Sequence, residues 1–139
     1  MKATVKWAGK ASFEGISESG HSVIMDGSPD IGGENRGPRP MEMLLLGMGG
    51  CTSIDVMLIL GKGRQDVTDC VAHIEAERAA DHPKVFTKIH VHFVVSGRKL
   101  DPTRVGKAIH LSAGKYCSAS IMLGKTATIT HDFEIVEVA

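Results

Sequence analysis

Between Met43 and Ile54 the chain carries no charged residue, and its apolar side chains fall on every side of a helix. A helix apolar all round has to be buried all round, so any fold this chain adopts must enclose it. Its start is legible. Pro40 suits a first helical position, and Arg39 before it is pushed out of the α region. The helix should stop near Leu60, at Gly61-Lys62-Gly63. The run is too short and too glycine-rich for a transmembrane span, and Glu42 and Asp55 bracket it, so no membrane association is expected. A single sheet covers one side of such a helix. A two-fold partner presenting the same surface would finish the burial, which leads us to expect a homodimer.

Around this helix the periodicity is that of strands. Residues 4–7 and 22–25 are short strand-like pieces, set apart by Gly9, Gly15 and Gly20, and 26–39 reads as a Gly- and Pro-marked loop. Residues 70–77 place Cys70, Ala72, Ile74 and Ala76 on one face and His73, Glu75 and Glu77 on the other. After a turn at Asp81-His82-Pro83, residues 84–95 set Val85, Ile89, Val91, Phe93 and Val95 inward and Lys84, Lys88, His90 and His92 outward, completing a hairpin. Asp101 is a good N-cap with Pro102 at N1, so a second helix starts there and continues to about Tyr116. Residues 118–123 suggest a further short helical piece. The last strand, 126–138, sets Ala127, Ile129, Phe133 and Ile135 against Thr128, Thr130, Asp132 and Glu134. The order β-α-β-β-α-β predicts an α+β fold, an antiparallel sheet packed on two main helices, in a single domain spanning 1–139.

Composition excludes several function classes. Lys+Arg and Asp+Glu both number 16, so nothing steers the chain to nucleic acid or to an anionic membrane. Aromatics at 4% are too few for a base-stacking platform. Lys2 and Lys6 stand where a secretory signal would have its apolar run, and three cysteines are not a secreted disulfide scaffold. A reducing cytoplasm is the expected compartment.

Two of those cysteines occupy matching contexts of small and apolar residues. Cys51 ends Leu44-Leu45-Leu46-Gly47-Met48-Gly49-Gly50-Cys51, and Cys117 lies in Ala113-Gly114-Lys115-Tyr116-Cys117-Ser118-Ala119-Ser120. They are far apart in sequence, so no local metal knuckle or Cys-x-x-Cys pair accounts for them. A dry, narrow pocket holding two thiols suits thiol–disulfide chemistry. Free cysteines also serve as small buried residues, which is an alternative for both and the better reading of Cys70 on a strand's apolar face. His90 and His92 share a strand face without a third ligand in view, so no metal site is expected. Gly47-Met48-Gly49-Gly50 lacks the setting of a phosphate loop and reads as a close-packing site.

Pro40-x-Glu42-x-Leu44-Leu45 leading to Gly49-Gly50-Cys51, with the later Tyr116-Cys117-Ser118-Ala119-Ser120, resembles the paired signatures of the OsmC/Ohr family of hydroperoxide-reducing proteins, nearest its YhfA-like branch. The resemblance covers essentially the whole chain and implies that family's intertwined homodimer. It also implies a cysteine peroxidase without a cofactor: Cys51 attacks the peroxide oxygen and becomes a sulfenic acid, Cys117 condenses with it to a disulfide, and an external dithiol restores both. Organic hydroperoxides would suit a pocket lined by Leu44, Leu45, Met48 and Ile121.

Two features depart from the family pattern, which pairs the reactive cysteine with an arginine from the N-terminal strands and a glutamate directly after the helix-opening proline. No arginine precedes Arg36, so Lys10, Arg36 and Arg39 are the candidate thiolate-stabilising cations. Met41 separates Pro40 from Glu42, the remaining catalytic candidate. On an ideal helix Glu42 stands about 180° around from Cys51 and roughly 13–14 Å along the axis. Contact would need a break at 47–50 or a carboxylate donated across the dimer. Two functions follow: a dithiol-dependent peroxidase, or a non-catalytic dimeric module that holds an apolar ligand and senses oxidation. A cation able to reach Cys51 separates them.

Overall fold

The computed structural model describes residues 1–139, and the chain divides into two compact units, Met1–Leu46 and Gly47–Ala139. In the first, β1 (Ala3–Trp7), β2 (Phe13–Ser17) and β3 (Ser22–Met25) form an antiparallel meander. β2 is an element that alternation alone does not reveal. Gly15 sits at its centre, paired with Val5 and Val23, and a Cβ there would come within 3.3 Å of Met25 Cε. Asp26 organises the loop that follows. It is only 1% exposed, and its Oδ2 accepts the backbone N–H groups of Glu34 at 2.9 Å and Arg36 at 3.1 Å. The Glu34 N–H, ahead of the opposing effect of burial, holds the Asp26 carboxyl below its usual value.

Helix α1 runs from Pro40 to Lys62 without interruption, starting where Arg39-Pro40 predicts and ending two residues past Leu60. At 23 residues the whole helix is longer than its charge-free run and, by length and composition alone, could cross a bilayer, contrary to the expectation from the run; 28% of its most apolar stretch is buried.

The second unit builds on β4 (Asp66–Arg78), β5 (Phe86–Arg98) and β6 (Thr128–Glu137), in that order across the sheet. The β4–β5 hairpin is antiparallel, and β4 alternates as expected, with Cys70, Ala72, Ile74 and Ala76 half-buried between exposed neighbours. Ile89, Val91, Phe93 and Val95 are buried, whereas Val85 is exposed and Phe86 takes the inward place beside a register irregularity at Glu77/Arg78. The α+β class holds, but the sheet is not antiparallel throughout: β6 pairs parallel to β5, from Lys88↔Thr128 to Gly97↔Glu137. The connection explains this. The helical segments after β5 carry the chain back along the sheet, so the returning strand enters in β5's own direction.

That connection comprises α2 (Pro102–Leu111), a five-residue π turn (Ser112–Tyr116) and α3 (Ser118–Leu123). Asp101 caps α2 through its side chain, which accepts the Thr103 N–H at 2.9 Å. Val105, Ala108 and Ile109 are fully buried, giving α2 its core-facing stripe. Within this unit α1 approaches the sheet at Gly49, where a Cβ would lie 2.7 Å from Ile74 Cδ1. Glycine at this position lets helix and sheet close together.

Candidate active site

Cys51 lies on α1 directly after Gly49-Gly50, and Cys117 lies where the π turn meets α3. The π turn is what aims Cys117. Its backbone N–H bonds back to the Ser112 carbonyl at 2.8 Å, and its own conformation is extended (φ −79°, ψ 98°). One extra residue in the turn breaks the helical phase, and such insertions recur at functional sites. Cys117 then caps α3: its Sγ accepts the Ser120 N–H at 3.3 Å and the Ser120 hydroxyl at 3.0 Å.

The fold brings the two predicted cysteines together. Cys51 Sγ, Cys117 Sγ and a carboxylate oxygen of Asp55 all lie within 4.8 Å of one another. Both thiols are free, Cys51 half-buried and Cys117 fully buried. Burial is the largest influence on the Cys117 thiol and pushes its pKa up; the Ser120 hydrogen bonds oppose this, and the neighbouring Cys51 adds to it. Cys117 therefore keeps its proton at neutral pH.

Asp55 is a site residue not singled out beforehand, although its signal was available. It follows Cys51 by four residues, and on a helix i and i+4 share a face. Ser112 is a second. Its hydroxyl sits 2.8 Å from Thr52 Oγ1, 3.0 Å from the Thr52 carbonyl and 3.3 Å from Asp55 Oδ2. This buried knot ties the π turn to the α1 turn that carries Cys51. Beside it a cleft of about 320 Å³ opens between α1 and the π turn, lined by Asp55, Leu58, Ile59, Lys62, Leu111 and Tyr116.

The other predicted site residues lie in the 1–46 unit and have partners there. Glu42 Oε1 accepts the Arg39 N–H at 2.8 Å, the N3-to-N-cap half of a capping box. Lys10 pairs with Glu34 at 3.4 Å. Arg36 donates to the Ala8 carbonyl at 3.3 Å, and Arg39 to Asn35 Oδ1 at 3.1 Å and the Gly37 carbonyl at 3.2 Å. Cys70 is half-buried on β4, where burial and then the Asp69 charge raise its thiol pKa.

Two free thiols therefore meet, in an α+β fold, where a long apolar helix packs against a π turn. Residues 32–132 match the OsmC-like protein family, and the chain belongs to that family. It is 48% identical to Protein YhfA of Escherichia coli K12 over 136 residues, covering 98% of each chain. Among solved structures, a hypothetical protein from Aquifex aeolicus VF5 is 26% identical, with a TM-score of 0.88 over 99% of this chain and 97% of that one. The organic hydroperoxide resistance protein OhrB of Bacillus subtilis shares the fold at 17% identity, with a TM-score of 0.65 over 96% of each chain.

Proposed function

We propose that this protein is a thiol-dependent peroxidase that reduces organic or small hydroperoxides through Cys51 and Cys117. The observation that carries the reading is the approach of the two sulfurs to within 4.8 Å, across most of the sequence length of the second unit. Cys51 thiolate attacks the terminal peroxide oxygen; the O–O bond breaks, the alcohol leaves after taking a proton, and Cys51 becomes a sulfenic acid. The Cys117 thiol then attacks that sulfur, forming the disulfide and releasing water. An external dithiol reduces the disulfide and is itself oxidised, returning both thiols. The roles follow from environment. A buried thiol with a raised pKa suits resolution after the first step, and the less buried Cys51 is the sulfur a substrate meets from outside.

The homodimer belongs to the same proposal. On α1, Leu46 is 61% exposed, Ile54 63% and Leu58 58%, an apolar stripe that a second copy presenting the same helix would cover. A reducing cytoplasm would keep both thiols ready and supply the dithiol.

The binding-module reading has one observation in its favour: Lys10, Arg36 and Arg39 already have partners within the 1–46 unit. Turnover with cumene hydroperoxide and a panel of dithiols decides between them. The peroxidase reading expects Cys51→Ser to abolish consumption and Cys117→Ser to permit one oxidation before stalling or over-oxidising. No oxidation of the wild type would select the binding module, and equal loss of the first oxidation in both variants would erase the role assignment.

A further inference from the structure

Peroxide reduction uses the two sulfurs and leaves Asp55 without a task. No step of that chemistry calls on a carboxylate at this place. For a divalent cation the same trio is favourable, because two thiolates and a carboxylate are three anionic donors converging on one point. Distances fit. All three ligand atoms lie within 4.8 Å of one another, whereas tetrahedral zinc, with Zn–S of about 2.3 Å and Zn–O of about 2.0–2.2 Å, holds its ligands roughly 3.5–3.8 Å apart. Rotamer adjustments totalling about 1 Å would close the set by those bond lengths.

The surroundings resemble an outer coordination shell. Ser112 Oγ lies 3.3 Å from Asp55 Oδ2 and orients the carboxylate, while Ser120 donates to Cys117 Sγ at 3.0 Å. Two of the donors, Cys51 and Asp55, are a helical turn apart on α1, and the third comes from the π junction, so the geometry is set by packed elements and not by a loose loop. Thiolate donors favour zinc-like ions over magnesium or calcium, which take oxygen ligands.

We propose that Cys51, Asp55 and Cys117 form a binding site for a thiophilic divalent cation of the zinc class, with water at the fourth position. Each thiol forms a metal–sulfur bond as its S–H proton leaves to solvent; no electron is transferred. Because the disulfide uses the same two sulfurs, metal binding and oxidation exclude each other, and a loaded chain is shielded from peroxide. This goes beyond the peroxidase reading and does not rest on it.

The test is titration of the reduced, full-length protein with cobalt(II) as the spectroscopic probe. The expected result is one cobalt per chain, with a thiolate-to-cobalt charge-transfer band and tetrahedral visible bands that zinc displaces. Cys51→Ser and Cys117→Ser should remove the charge-transfer band, Cys70→Ser should leave it unchanged, and Asp55→Asn should weaken binding at least about tenfold. Wild type oxidised with diamide, which keeps every side chain, should show no band. X-ray absorption at the zinc edge of the loaded wild type should give two sulfur neighbours near 2.3 Å beside oxygen, whatever the fate of the variants. An absent band, a band that survives oxidation or depends on Cys70, unchanged affinity in Asp55→Asn, or a zinc shell without two sulfurs would each overturn the proposal. None of these readouts is turnover, so a protein inactive toward peroxide is tested equally well.

Discussion

Removing the Ser112 hydroxyl should cost far more than a serine-to-alanine change on a surface, and the amount can be worked from its partners. Ser112 is fully buried and Thr52 is 2% exposed. In Ser112→Ala the Thr52 hydroxyl, 2.8 Å away, loses its partner where no water reaches it, and one orphaned buried hydroxyl costs about 1–3 kcal/mol. Asp55 is half-buried and can recover its lost bond from solvent, so it adds little. We expect about 2 kcal/mol, and a melting-temperature drop on the order of 5–10 °C for a chain of this length. Thr52→Val alone orphans Ser112 only in part, because its proton still has the Thr52 carbonyl at 3.0 Å. Replacing both hydroxyls leaves no orphan, so Ser112→Ala/Thr52→Val should be less destabilised than the two single losses added together, by at least about 1 kcal/mol. Denaturant unfolding of the four proteins at matched concentration measures this coupling and removes any effect of self-association. Single effects that add within about 0.5 kcal/mol would refute the view that this pair knots the π turn to α1.

Three further outcomes follow from particular contacts. His92 hydrogen-bonds to Asp132 first and Glu134 second, which raises its pKa above the ordinary 6.5; His131 is lowered by burial and then by His110. The His92 contribution to stability is therefore complete below pH 6.5 and lost as pH rises through its folded pKa, whereas His131 costs stability as pH falls below 6.5. Nuclear magnetic resonance titration should place the two midpoints on opposite sides of 6.5, with Asp132→Asn returning His92 toward it; midpoints on one side would contradict the assignment. Gly97→Ala would set a Cβ 2.3 Å from the Asp66 carbonyl oxygen and 2.9 Å from Leu100, so a loss of about 1–3 kcal/mol is expected by denaturation, and a neutral variant would show that β4 yields there. Leu46→Glu should break the proposed dimer, with sedimentation velocity shifting to monomer or to unfolded chain; a variant that sediments as the wild type does would remove α1 from the interface.

The parts of this fold whose causes are local are legible in the sequence. Arg39-Pro40 and Asp101-Pro102 mark helix starts because proline restricts both itself and its predecessor, and both helices begin there. The alternation in β4 and β5 survives because one sheet face is buried. What was missed depends on distant partners. Gly15 hides β2, since glycine carries no pattern and its place is set by β1 and β3. Alternation says which residues of β6 face inward but nothing of its direction, which the helical crossover decides. At the site, the cysteines were legible by their shared context, while Ser112 was not: a serine at the end of a helix looks solvated until Thr52 is placed against it. Asp55 needed only the four-residue spacing from Cys51.

The central claim is that Cys51 and Cys117 act as one redox pair and Cys70 stands apart. Reduced protein treated with an equimolar amount of cumene hydroperoxide, trapped by alkylation and mapped by peptide mass spectrometry, tests it most directly. The account predicts a Cys51–Cys117 disulfide within the chain and an alkylated Cys70. A principal disulfide containing Cys70, or three alkylated thiols after exposure to peroxide, would contradict it.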